Sequence, residues 1–273
     1  MEAHVNELWI KLGLQGKRAL IVHHDDLGLS HAQNRAYREL GFPTGSVMMM
    51  GCCVGEVSGP DLGVHLTLTS GQDSMQLHPL SPGSSLRNPQ GLFWHTLEDA
   101  WPRLVAAEVE AELRAQLEAA LQAFDVTHLD SHMGALLRPD LAEIYVRLAE
   151  EHRLPALIPS NLDDVRLPPG FLAALQALRE RSALPQVTVV DGYGVPPQQR
   201  REWYLQALSG LGAGVYQLIH HAACADAEGQ SLGDWQGRKA DLEALKDPEV
   251  RRVIGEFELL TWREVREAWR GAV

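Results

Sequence analysis

Short runs rich in Val, Ile and Leu recur along the chain, separated by stretches in which apolar residues return every three or four positions. The runs Ala19–His23, Ser46–Met50, Gly63–Leu68, Val126–Ser131, Pro155–Ile158, Val187–Asp191, Val215–His220 and Phe257–Leu260 have the length and composition of strands. Helical signals fall between most of them. His31–Leu40 follows Ser30, a good N-cap. Thr96–Phe124 is the longest, with Pro102 near its start, where a ring is tolerated. Its residues Val109, Leu113, Leu117, Leu121 and Phe124 are predicted to share one face. Leu141–Glu151, Phe171–Arg181, Pro197–Leu208, Gly237–Lys246 and Trp262–Trp269 complete the set.

Strands alternating with helices predict an α/β fold with a largely parallel sheet. Eight strands favour a (β/α) barrel in one domain over residues 1–273, ahead of an open doubly wound sheet. One connection is unusual: Gly51–Leu62 is barely long enough for a parallel crossover and is not helical in pattern. Thr69–Trp94 is a long Gly-, Pro- and Ser-rich loop of the kind that serves function.

Composition narrows the class. With 24 Lys and Arg against 36 Asp and Glu, the 273 residues carry a formal charge of −12. That charge repels a phosphate backbone, so nucleic acid is not an expected partner. No apolar run approaches the roughly 18 residues that span a bilayer, and MEAHVNELWIKLGLQGKR lacks the apolar centre of a secretory signal. Cys52, Cys53 and Cys224 make an odd number without a metal-binding spacing, which predicts free thiols in a cytoplasmic protein.

The candidate chemistry gathers at strand ends. His23, His24, Asp25 and Asp26 end the first strand, and His65 lies in the third. His128, Asp130 and His132, spaced by two, end the fourth; Asp191 ends the sixth, and His220 and His221 the seventh. In a parallel α/β fold the C-terminal strand ends face one crevice, so these groups converge. Carboxylates together with imidazoles are ligands for a divalent ion. The adjacent pair Asp25–Asp26 predicts a division of labour, one carboxylate holding the ion and the other accepting a proton from water; the pattern does not say which does which. Each residue alone has a structural reading: an Asp-Asp turn before a glycine, a core histidine at 65, a surface strand end at 220–221. Their coincidence at one rim favours chemistry. Met48–Met50 read as core, and Trp101, Trp203, Trp262 and Trp269 as packing; Trp94 and Trp235 are predicted in loops near the rim, with a stacking role open. Arg238 reads as a surface cation within reach of a substrate oxygen.

In this order, HHDDLGLSHAQNRA, GVHLTLTS, THLDSHMG and VYQLIHH, followed by DWQGR and LLTWREVREA, resemble the YdjC-like carbohydrate deacetylases, the ChbG/HpnK group. The resemblance covers the chain from about Arg18 to about Ala268. It implies a distorted (β/α) barrel that removes acetyl groups from N-acetylated sugars such as chitooligosaccharides, using one divalent ion, Mg2+ or Zn2+. By that resemblance Asp26, His65 and His132 match the metal ligands, Asp25 the catalytic base, and His221 a later histidine that assists as acid or oxyanion stabiliser. Asp130 and Arg238 complete the expected site as substrate contacts. The expected partner is an acetylated sugar, with a homo-oligomer left open and no membrane. The chain departs from the family in three places: Gly51–Leu62 is too short for the usual helix, His221 is followed by Ala222-Ala223 where Pro-Gly is usual, and Gly134 stands where many members have a further His.

Two other functions compete. A metal-dependent phosphoesterase on the same scaffold would need phosphate-binding cations, and the rim offers only Arg35 and Arg238. A non-catalytic carbohydrate-binding relative would have no use for the spare carboxylate of Asp25.

Overall fold

Strand β1, Arg18–Leu27, is the axis of the molecule, and every other strand is placed by its distance from it. The computed structural model describes residues 2–71 and 76–271. Within them β2 (Thr44–Val47), β3 (Asp61–Leu66), β4 (Val126–Ser131), β5 (Thr188–Asp191), β6 (Gly214–His220) and β7 (Glu258–Leu259) join β1 in a parallel sheet of order β4-β3-β2-β1-β6-β5. One edge of β1 pairs with β6 from Arg18 to His24. The other is divided: β7 pairs at Ala19 and Leu20, and β2 takes over from His23.

The sheet curls into a distorted barrel in a single α/β domain. Its outermost strands, β4 and β5, are tied by the segment 155–161 rather than by a full strand. Leu129 N donates to Pro155 O and Leu157 N to Leu129 O, both at 2.9 Å, while Ser160 N donates to Val187 O at 2.9 Å. The expected strand Pro155–Ile158 is therefore a single bridge, Leu129 to Ala156. Pro155 and Pro159 bracket it, and a residue without an N–H cannot extend a ladder.

Other expectations shift for local reasons. The strand expected at Ser46–Met50 is Thr44–Val47, and the chain turns away at Met48, whose N–H caps Leu27 O. Gly51–Leu62 holds only a 3-10 turn, Val54–Glu56. The long helix breaks at Pro102 into Leu97–Ala100 and Ala106–Ala123. Val109, Leu113 and Leu117 of the second piece are buried, but Leu121 is 45% exposed. Steps of four drift by about 40° each on a helix of 3.6 residues per turn, so Ala120 replaces Leu121 on the buried face.

The long loop Thr69–Trp94, of which residues 72–75 lie outside the described residues, is held down by that helix. Glu112 accepts from Leu80 N and Ser81 N at 3.0 and 2.7 Å, and Gln116 bonds both N and O of Thr67. These buried side chains fix the entry to the loop and so place Ser70 and Gly71 at the C-terminal mouth of the sheet.

Candidate active site

Regular alternation along β1 would send Asp25 and Asp26 to opposite faces. The pairing with β2 instead shifts register between His24 and Leu27. Asp26 adopts φ 62°, a left-handed conformation that Asp tolerates better than most residues. This irregularity brings both carboxylates into one cavity of about 290 Å³, lined also by Ser70, His132, Asp191 and His221.

Beneath that cavity three side chains from three strand ends meet. Asp26 Oδ1 lies 3.2 Å from His65 Nε2 and 3.2 Å from His132 Nδ1, and the two ring nitrogens are 3.3 Å apart. His65 is aimed by its other nitrogen: Nδ1 lies 2.7 Å from Asp130 Oδ1 and 3.0 Å from Ser46 Oγ. His132 follows Ser131, the last residue of β4, and the chain turns sharply after it through Met133 and Gly134, at φ 53° and 67°. That turn leaves Met133 at the rim, 45% exposed.

Asp25 stands beside this triangle. Its Oδ2 lies 3.8 Å from His65 Nε2 and 3.7 Å from His221 Nε2. His221 is carried by a buried anchor: its backbone N donates to Asp241 Oδ2 at 3.2 Å, and Arg200 and Tyr204 bind Asp241 Oδ1. Tyr193 packs edge-on to the His221 ring at 5.1 Å. Of the pair 220–221, His221 reaches the cavity, while His220 is buried against His24.

The electrostatics favour positive charge at the triangle. Burial alone would raise the pKa of Asp26, but Arg238 Nη1, 2.9 Å from Oδ2, and the two imidazoles hold it well below the carboxylate range. Burial opposes protonation of His65, yet the carboxylates of Asp130, Asp25 and Asp26 outweigh it and raise the pKa well above 6.5. His132 is pulled down by burial.

The two expected substrate contacts, Arg238 and Asp130, line the cavities while being mostly buried. Arg238, read as a surface cation, is only 4% exposed, because Asp26 and Asp234 hold its guanidinium from two sides. Asp130, expected at the substrate, is 3% exposed and hydrogen-bonds His65. Trp101, read as packing, lines an apolar extension of the cleft with Leu97, Val165, Leu167 and Val189. Trp94 instead donates to Ser85 O and lies under Arg103, and Trp235 packs against the core. Arg35 is paired with Asp226. The sequence reading missed His23 as a partner of Asp25; the two-residue spacing that puts both on one face of β1 was the available signal. Cys52, Cys53 and Cys224 are free, and among the described residues no helix is long and apolar enough to cross a membrane.

A metal fits the triangle. Ligands about 2.1 Å from one ion stand about 3.0–3.4 Å apart for octahedral or tetrahedral angles, which is the separation found among Asp26 Oδ1, His65 Nε2 and His132 Nδ1. The carboxylate behind His65 is the usual outer partner of a metal-binding imidazole.

Comparison with known proteins finds relatives over most of the chain. The family model described as YdjC-like protein matches residues 19–256. A "Carbohydrate deacetylase" of Thermus thermophilus is 53% identical over 262 residues, covering 96% of this chain and 99% of that protein. A "Chitooligosaccharide deacetylase" of Salmonella schwarzengrund is 28% identical over 257 residues, 88% of this chain and 95% of the other. A crystal structure from Enterococcus faecalis V583, of a protein provisionally named for cellobiose-phosphate cleavage, superposes with TM-score 0.74 over 90% of this chain and 98% of that one. At 20% identity it bears on the fold alone.

Proposed function

This chain belongs to the YdjC-like protein family, and on that premise we propose that it is a metal-dependent hydrolase that removes the acetyl group from an N-acetylated sugar. The observation that carries the reading is the Asp26–His65–His132 triangle with the separate carboxylate of Asp25 beside it. Asp26, His65 and His132 would hold one divalent ion. Two imidazoles and one carboxylate suit Zn2+ or a similar transition ion better than Mg2+. The field that raises the pKa of His65 is the field that attracts such a cation.

When bound, the ion supplies Lewis-acid polarisation of the acetyl carbonyl and lowers the pKa of water to about 7. The rest falls to the chain's own groups. Asp25 Oδ2 faces the triangle and takes the proton from the attacking water. His221, across the cavity at 3.7 Å from Asp25, delivers a proton to the departing amine. Arg238 neutralises the second oxygen of Asp26 and keeps the first directed at the histidines. Asp130 fixes the ring of His65. No covalent acyl intermediate is required. Three free thiols fit a reducing compartment such as the cytoplasm.

The test is elemental analysis of the purified protein, followed by acetate release from a panel of N-acetylated mono- and oligosaccharides with the metal found. Acetate release at about one divalent ion per chain is the expected result. Phosphate release from sugar phosphates without acetate release would favour a phosphoesterase, and metal binding without turnover a binding protein.

A further inference from the structure

Behind Asp25, on the side away from the cleft, runs a file of buried groups that the chemistry above does not use. His23 Nδ1 lies 2.7 Å from Asp25 Oδ1, and His23 Nε2 lies 2.7 Å from His128 Nε2. His128 Nδ1 ends the file at Thr127 Oγ1, 3.0 Å away. Both rings are fully buried. A carboxylate has no proton to give, so Nδ1 of His23 is the donor to Asp25 whichever way the proton between the two imidazoles lies.

His128 is clamped in its plane. Trp262 stacks on it at 5.2 Å with the rings 18° apart, and Trp262 is itself fixed by its indole N–H to Gln217 Oε1 at 2.7 Å. On β3, Gly63 faces the ring: a Cβ there would stand 2.5 Å from His128 Nε2, the atom that bonds His23. Any larger residue at 63 would push the ring off His23.

Resting on the reading of Asp25 as the base, we propose that His23 and His128 are positioning residues for it: the buried file occupies Oδ1 of Asp25 and so leaves Oδ2 as the oxygen that meets the water. Gly63 is the backbone position that makes room for the file. Without the donor from His23 the carboxylate is free to rotate, and its two oxygens compete for His65 and His221, each within 4 Å of Oδ2. Neither imidazole is paired with Asp26, and although His23 Nε2 comes within 3.5 Å of Asp130 Oδ2, His65 is held by the other oxygen of that carboxylate, so the triangle's own contacts do not run through the file.

Four proteins test this: wild type, His23→Phe, His23→Asn and Gly63→Ala, each with its metal content measured. Phe keeps a ring but donates nothing, and kcat should fall about 10–100-fold, the usual worth of an orienting partner. KM and bound metal should stay as in wild type. Asn carries an amide N–H close to the place of Nδ1 and should recover kcat to within a few-fold of wild type. Gly63→Ala, which touches no reacting group, should lower kcat in the same direction without changing KM. Independently of activity, spectra of 15N-histidine-labelled wild type should show a slowly exchanging, hydrogen-bonded imidazole N–H assigned to His23 and perturbed in Gly63→Ala. Wild-type kcat in His23→Phe, equal loss in the Phe and Asn variants, or loss of metal in either overturns the proposal. So does a wild-type spectrum without the protected N–H, which decides the matter even where a variant fails to fold. Absence of acetate release by wild type from every sugar would instead refute the deacetylase reading, while the spectrum still judges the file.

Discussion

The two walls of the cleft are built by different rules. On one side β4, β3, β2, β1 and β6 form a continuous hydrogen-bonded sheet, and Asp25, Asp26, His65 and His132 project from the ends of β1, β3 and β4, buried and held by further buried side chains. On the other side the chain from 155 to 195 makes one bridge, a 3-10 turn, the helix Phe171–Arg181 and the four-residue β5. That wall supplies Val165, Leu167, Val189 and Tyr193 to the cavities but no member of the triangle. Groups that must hold a separation to a few tenths of an ångström sit on ladders. Of the groups that need only offer a surface to a substrate, Val165, Leu167 and Tyr193 sit on loops, where a side chain can change without disturbing the ladder.

Substitutions should separate the walls, and the largest effect belongs to the first. His65→Ala or Asp26→Asn removes a ligand and should abolish most bound metal and most activity, with the fold intact by circular dichroism. Full metal occupancy in both would dissolve the triangle as a site. Asp25→Asn comes next: it keeps shape but accepts no proton, so kcat and kcat/KM should fall together by about 10²–10⁴ with metal retained and no rescue by excess metal. Metal loss there and not in Asp26→Asn would reverse their roles. Asp130→Asn releases Nδ1 of His65 and should weaken metal affinity about 10–100-fold, measured by chelator competition; unchanged affinity would make Asp130 a mere core residue.

Acid should also single out the ladder wall. Burial, with His221 nearby, pushes the pKa of His24 down to about 3, against 6.5 for a free imidazole. Between those values the unfolded chain binds the proton and the folded one does not, so this group costs stability as pH falls through that window. His24→Phe should therefore gain on wild type by up to about 1.4 kcal/mol per pH unit from roughly pH 6.5 downward. Denaturation curves that stay parallel across this range would show that His24 is not held neutral. The smallest effect belongs to the loop wall: Leu167→Ala or Tyr193→Phe should alter KM and the order of preferred sugars several-fold, leaving metal content untouched. A large loss of metal in either would erase the distinction between the walls.

How much of this was legible in the sequence follows the same division. Strand ends carrying His and Asp announced the ladder wall, because period-two spacing in 128–132 and a histidine inside an apolar run at 65 have few structural excuses. In the loop wall the apolar content of Pro155–Ile158 suggests a strand, and it outweighs the signal of Pro155 and Pro159, which withhold the N–H donors that a ladder needs. Arg238 looked exposed because its burial depends on Asp26, more than two hundred positions away in the chain. The bulge at Asp26 and the His23–His128 contact were likewise invisible: both arise from register between strands, which no single segment encodes.

The divided edge of β1 sets the order in which the molecule can be assembled. Its first half pairs with β7 at Ala19 and Leu20, where Leu260 N also donates to Leu20 O, and Asp61 on β3 binds the N–H groups of Trp262 and Arg263, a separation of 201 residues for the first of these. Both closures are of the long-range kind that slow folding. On a ribosome one edge of the central strand would lack its first partner, and the ring of His128 its cover, until the stretch from 258 to 263 had emerged. The ring that steadies His128 comes with that same stretch. A nascent chain halted before it would hold nearly all the residues of the site, yet lack the clasp that sets them.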